Sequence, residues 1–99
     1  MRQYDVALSF EWDFEKAARN IAKHGVSFQE AETVFGDPLG RIVVDPRHSE
    51  EEERYVLPGL SRRQRLLAVM FTERGHRVRI ISARQATPRE RRDYEEEPS

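Results

Sequence analysis

Ninety-nine residues, 37% of them apolar and 35% charged, suffice for one small domain that buries somewhat over ~60% of the surface its unfolded chain exposes. With no cysteine there is no disulfide framework, thiolate metal site or cysteine nucleophile. The longest apolar run, Leu66 to Phe71, falls far short of a membrane span, and no apolar leader opens the chain, so a soluble cytoplasmic protein without a membrane partner is expected.

Tyr4, Val6, Leu8, Phe10 and Trp12 alternate with Asp5, Ala7, Ser9 and Glu11, the period-2 pattern of a half-buried strand. Asp13 then fits an N-cap with Glu15 in the first helical turn. Phe14, Ala17, Ala18, Ile21 and Ala22 form one helical stripe, with Lys16, Arg19, Asn20 and Lys23 on the other side, and His24-Gly25 ends the helix. A second helix follows at once. Ser27 and Glu30 form a capping box with Val26 and Ala31 at the staple positions. Phe28, Ala31, Val34 and Phe35 give it an apolar face, and Gly36-Asp37-Pro38 stops it.

Three strands are expected next, at Arg41 to Asp45, Arg54 to Leu57 and Arg65 to Thr72. The second is bounded by Pro58-Gly59, and the third is apolar enough for a central position. Glu73 to His76 reads as a hairpin turn into a strand from Arg77 to Arg84. Strict alternation there places Val78, Ile80 and Ser82 on one face and Arg77, Arg79 and Ile81 on the other. Thr87-Pro88-Arg89-Glu90 opens a third helix with a capping box and proline at its first position. Only Tyr94 offers it a large apolar anchor, so it should dock weakly, and residues 95–99 should fray. The order β-α-α-β-β-β-β-α in one domain over residues 1–99 argues an α+β fold, an antiparallel sheet with the first two helices on one face.

The near-neutral net charge of −1 hides a segregation. Arg54 to Arg92 holds eleven arginines against Glu73 and Glu90, while residues 1–53 and 93–99 are acidic. Arginine's planar fork suits bidentate contact with phosphate or carboxylate, so the expected partner is polyanionic: RNA, DNA or an acidic protein segment. Arg77 and Arg79 share one face of a strand. Arg84 ends a run that reads as buried, where a charge needs a partner or a task. The densest polar cluster runs from Asp45 to Arg54, and His48 beside its glutamates is a candidate acid or base. His24, His48 and His76 have no metal-ligand spacing, and Ser49 lacks the base-and-orienter set of a hydrolase triad. The aromatics Tyr4, Phe10, Trp12, Phe14, Phe28, Phe35 and Phe71 all fall at core positions, which leaves Tyr55 and Tyr94 as the free stacking candidates.

Phe10-Glu11-Trp12-Asp13, Lys16, Asn20 and Lys23 to Phe28 resemble the start of the BrnT toxins of type II toxin–antitoxin pairs. Val34-Phe35 with Asp37-Pro38, His48-Ser49 with Glu52 to Arg54, and Arg79 to Arg84 with Glu90-Arg91 and Tyr94 continue the likeness, while residues 1–9 lie outside it as an extended first strand. The resemblance implies a RelE-like fold and ribonuclease activity that arrests translation. It also implies neutralisation by a BrnA antitoxin, a ribbon-helix-helix protein through which the pair contacts operator DNA. The expected chemistry is attack by a ribose 2′-OH on its own 3′ phosphate, with no metal or organic cofactor. Arg84 and Arg54 would contact the phosphate and transition state, and His48 would act as acid or base. Glu53 would orient or deprotonate, and Lys23, Arg77 and Arg79 would hold the RNA backbone. The rivals are a non-catalytic nucleic-acid-binding module and a protein-interaction module, each using the same arginine-rich face.

Overall fold

The structure, a computed structural model, describes residues 8–45 and 52–96. Its elements are β1 (Ser9–Glu11), α1 (Phe14–His24), α2 (Phe28–Thr33) running into a 3-10 turn (Val34–Gly36), β2 (Val43–Val44), β3 (Tyr55–Leu60), β4 (Leu66–Arg74), β5 (Arg77–Gln85) and α3 (Pro88–Glu95). This is the expected order. The strands form one sheet in the order β1-β5-β4-β3-β2, antiparallel throughout except that β1 runs parallel to β5. The fold class is α+β. No helix among the described residues is long and apolar enough to cross a membrane.

Local chemistry sets the helix ends. Asp13 accepts from the Lys16 amide, and Gly25 closes α1 at φ 70°, a left-handed conformation in which glycine carries no Cβ penalty. Ser27 accepts from the Glu30 amide, but the expected reciprocal bond is not made, because the Glu30 carboxylate turns to Arg65 and Ser61 instead. In α3 both halves of the capping box form between Thr87 and Glu90.

α2 buries Phe28, Ala31, Val34 and Phe35, as its stripe requires, against Leu67, Val69 and Phe71 of β4 and Val78, Ile80 and Ala83 of β5. Phe28 and Phe71 are fully buried, each contributing roughly 1.5–3 kcal/mol of transfer free energy. Phe35 stands edge-on to Phe10 and Phe71, and Trp12 edge-on to Phe28.

Several elements depart from expectation: β2 is only two residues long, β5 carries a bulge, and β3 and α1 differ more. β3 continues through Pro58-Gly59 to Leu60, pairing Pro58 with Ala68 and Gly59 with Leu67. Pro58 is tolerated because even-numbered residues of β3 point their nitrogens away from β4, and β2 has already ended there, so no ladder bond is lost. The next outward amide, Leu60, donates to Asp37 Oδ2 at 2.7 Å. Gly59 is needed for packing, since a Cβ there would lie 2.9 Å from Val34 Cγ1.

α1 is the larger departure. Of its apolar stripe only Ala17 is half-buried; Phe14, Ala18, Ile21 and Ala22 are exposed, Phe14 at 84%. The helix docks instead through Asn20, from its polar side. Asn20 donates to Ala83 O at 2.7 Å and Val26 O at 2.9 Å and accepts from Ala83 N at 3.1 Å. β1 covers β5 only from Arg77 to Arg79, so the backbone of Ala83 needs partners from elsewhere. An amide supplies both a donor and an acceptor.

Candidate functional site

The sheet has two unlike faces. Leu67, Val69 and Phe71 of β4 point to the helical core, while Leu66, Ala68, Met70, Thr72 and Arg74 take the other face. On β5 strict alternation fails. Phe71 pairs with Ile80 and Met70 with Ser82, so Ile81 is an extra residue and the strand bulges. Beyond the bulge the faces exchange: Ala83 enters the core, while Ser82 and Arg84 join Arg77 and Arg79 on the second face. Were Ile81 paired in regular alternation, Arg84 would share the side of Val78 and Ile80.

Thr72 lies between Arg79, its partner on β5, and Arg54, which precedes β3 and alternates onto the face of Val56 and Pro58. The Thr72 hydroxyl donates to the Glu53 carbonyl at 2.8 Å, tying down the chain beside Arg54. The next rows run Met70–Ser82 and then Ala68–Arg84. The structure thus brings Arg54, Arg77, Arg79 and Arg84 onto one face. Lys23 is apart, exposed in the last turn of α1 on the helical layer. The Glu53 side chain is exposed, and His48 lies outside the described residues. Among the described residues no group of His, Asp and Glu is arranged to hold a metal ion.

Much of the arginine charge is met within the chain, which tempers the polarised surface expected from the sequence. Among the described residues seven of the eleven arginines between Arg54 and Arg92 form ion pairs: Arg63, Arg65, Arg74, Arg77, Arg79, Arg84 and Arg91. Glu11 takes Arg79 at 2.9 Å and Arg77 at 3.3 Å, and the Arg79 hydrogen bond is the main reason its carboxyl titrates below the usual range. Glu90 receives both ends of the Arg84 fork, at 2.8 and 3.1 Å, which lowers its carboxyl and raises the guanidinium pKa. Arg54 differs. Among the described residues its Nε is buried and has no hydrogen-bond partner, and such a group calls for a water, an ion or a ligand.

α3 lies over this second face with none of its residues buried, in keeping with weak docking. Besides the Glu90–Arg84 pair it is held by the Tyr94 hydroxyl, which donates to Asp37 Oδ2 at 2.6 Å. Burial, then the Asp37 carboxylate, pushes the Tyr94 phenol up to about 12. Beneath α3 is a cleft of about 530 Å³ lined by Leu39, Arg41, Val43, Val56, Pro58 and Tyr94. Neither stacking candidate is free: Tyr94 is tied to Asp37, and the Tyr55 ring packs 5.4 Å from that of Phe71. Among the described residues the exposed aromatic is Phe14, assigned to the core from its sequence pattern.

Sequence reasoning passed over Glu11, Thr72 and Asp37. Glu90 had a signal, its third position after Thr87, but the capping box explained it without reference to Arg84. The partner of a side chain 68 positions away has no local signature.

A family model described as the ribonuclease toxin BrnT of type II toxin–antitoxin systems matches residues 12–90. The crystal structure of the Brucella abortus ribonuclease toxin BrnT superposes with a TM-score of 0.62 at 27% sequence identity, covering 82% of this chain and 99% of that one. No curated protein sequence matches significantly. With the family's pattern running through both helical and sheet layers, and its fold shared with a solved member, the chain belongs to the BrnT family of ribonuclease toxins of type II toxin–antitoxin systems.

Proposed function

We propose that this chain is a metal-independent endoribonuclease of the cytoplasm that inhibits translation, and that a BrnA-like ribbon-helix-helix antitoxin neutralises it. In the proposed reaction the 2′ oxygen bonds to phosphorus as its proton leaves for a base. The bond to the 5′ oxygen breaks and that oxygen gains a proton, leaving a 2′,3′-cyclic phosphate and a 5′-OH. The crowded phosphate then carries extra negative charge, which fixed cationic donors stabilise. The observation that carries this reading is the arginine face, where Arg54 presents a buried Nε with no partner among the described residues, beside Thr72 and across it from Arg79. Arg54 and Arg84 are assigned to the phosphate, Arg77 and Arg79 to the flanking backbone with Lys23 as an outlying contact, and His48 and Glu53 to proton transfer. Tyr94 is a poor base, its phenol being raised to about 12.

The test is cleavage of a defined RNA by the purified protein in EDTA, with the product ends identified. Removing one preorganised donor typically costs roughly 10²–10³ in rate. Arg84→Ala and Arg54→Ala should each lose that much while their melting profiles stay cooperative. Arg84→Lys should recover little, because an ammonium lacks the fork. RNA binding without cleavage would leave a non-catalytic binding module, and activity abolished by EDTA would end the metal-independent reading.

A further inference from the structure

We infer that the exposed apolar stripe of α1 is a docking surface for an acidic amphipathic helix of the antitoxin. This goes beyond the ribonuclease reading and uses only its premise that a protein antitoxin exists.

Phe14, Ala18 and Ile21 stand at i, i+4 and i+7, the spacing by which one helix presents anchors to another. Phe14 is 84% exposed and Ile21 51%. Surface helices turn such a stripe to the core. Here Asn20 has claimed the inward side, with its amide satisfied by Ala83 and Val26, so the helix cannot roll to bury the stripe without breaking those bonds.

Charge and area indicate the occupant. Around the helix from the stripe come Glu15, Arg19, Lys23 and Lys16, three cations to one carboxylate. The Glu15–Arg19 contact is 4.0 Å between side chains 87% and 69% exposed, too weak to neutralise the flank. An acidic flank beside apolar anchors complements this surface; a second copy would set three cations against three. A stable dimer also buries about 800 Å² per partner, more than two large side chains and two alanines provide. The stripe therefore suits one part of a larger contact made by an extended partner. Because α1 is on the helical layer, such a partner can hold the toxin without first displacing α3 from the arginine face.

The experiment uses the full chain and the product of the reading frame adjacent to its own, purified as a complex. Binding is measured for wild type, Phe14→Ser/Ile21→Ser and Lys16→Glu/Arg19→Glu at two salt concentrations, with melting curves and RNA cleavage on each. The apolar double variant should bind at least about tenfold more weakly, as loss of interface anchors does. It should fold and cleave as wild type does, since Phe14 is mostly in water already. The charge variant should bind more weakly at low salt and lose most of the salt dependence. Unchanged affinity in the apolar variant overturns the inference, and so does a wild-type dimer that the same substitutions dissolve, which would make a second copy the occupant. If wild type forms no complex, the antitoxin premise itself fails, a result separable from cleavage.

Discussion

Glu30 and Glu90 hold the same place in two helices, third after a hydroxyl cap, and each grips an arginine with both carboxylate oxygens, Arg65 just before β4 and Arg84 within β5. Their surroundings differ. The Glu30 side chain is 4% exposed and also accepts from Ser61 Oγ at 2.7 Å, while Arg65 goes on to donate to the Gly25 carbonyl at 3.0 Å. That cluster binds the end of α1, the start of α2 and the turn before β4 into one unit above the core. Glu90 and Arg84 are 24% and 25% exposed, and no residue of the helix they secure is fully buried. One geometry thus serves two ends. With its carboxylate enclosed, the first pair is structural; under the proposed function the second, at the rim of the arginine face, gives up its carboxylate for a phosphate.

The sharpest way to break this comparison is to remove each acid. Glu30→Ala takes an enclosed acceptor from Ser61 and from the Arg65 fork, itself 27% exposed, and should cost roughly 1–3 kcal/mol, a sizeable part of the stability of so small a domain. Glu90→Ala should cost about 1 kcal/mol or less, since both partners reach solvent. Urea unfolding of the two variants measures this directly. Comparable losses would mean that α3 is as integral as α2.

A second, smaller difference is in acid. Both carboxyls titrate below their ordinary value, Glu30 chiefly through the Arg65 hydrogen bond and Glu90 chiefly through that of Arg84. The unfolded chain therefore binds protons first. The stability from each pair is complete above the ordinary carboxyl value of 4.5 and is lost as pH falls through the lower folded value. The melting-temperature gap between wild type and Glu30→Gln should be widest near neutrality and shrink steadily below that value. A Glu90→Gln gap should be small throughout. A Glu30→Gln gap that stays constant into acid would show that the pair contributes through packing alone.

The smallest effects concern α3. Glu90→Gln keeps a residue able to complete the capping box but gives up the charge held by Arg84, and Tyr94→Phe removes the donor to Asp37. Each should speed amide exchange across α3 by up to about tenfold, leaving α1 and α2 unchanged. Glu90→Gln should also tighten RNA binding modestly by freeing the Arg84 fork, an effect absent when Arg84→Ala is combined with it. Unaltered α3 exchange in both variants would mean that neither tie holds the helix.

The parts of the fold visible in the sequence were those with short-range causes. The caps at Asp13, Ser27 and Thr87, the stop at Gly25 and the apolar face of α2 depend on neighbours within a turn, and each appears as expected. Pro58 misled because its effect on a strand depends on whether anything pairs with its nitrogen side, and the length of β2 decides that. The stripe of α1 misled for a related reason: periodicity locates an apolar face but does not say that the face is inward. Of the candidate site, Arg54, Arg77, Arg79 and Arg84 could be chosen by type and position. That they share a face depended on one unpaired residue, Ile81.

By itself, then, the sequence determined the elements, their order and the pool of arginines available for anion chemistry, because dihedral preference, capping and alternation act over a few residues. Tertiary structure decided which carboxylate meets which arginine, which side of α1 is buried and which face receives Arg84. Those outcomes rest on contacts such as Arg79 with Glu11 and Asn20 with Ala83, made across the chain between groups whose local patterns are indifferent to one another.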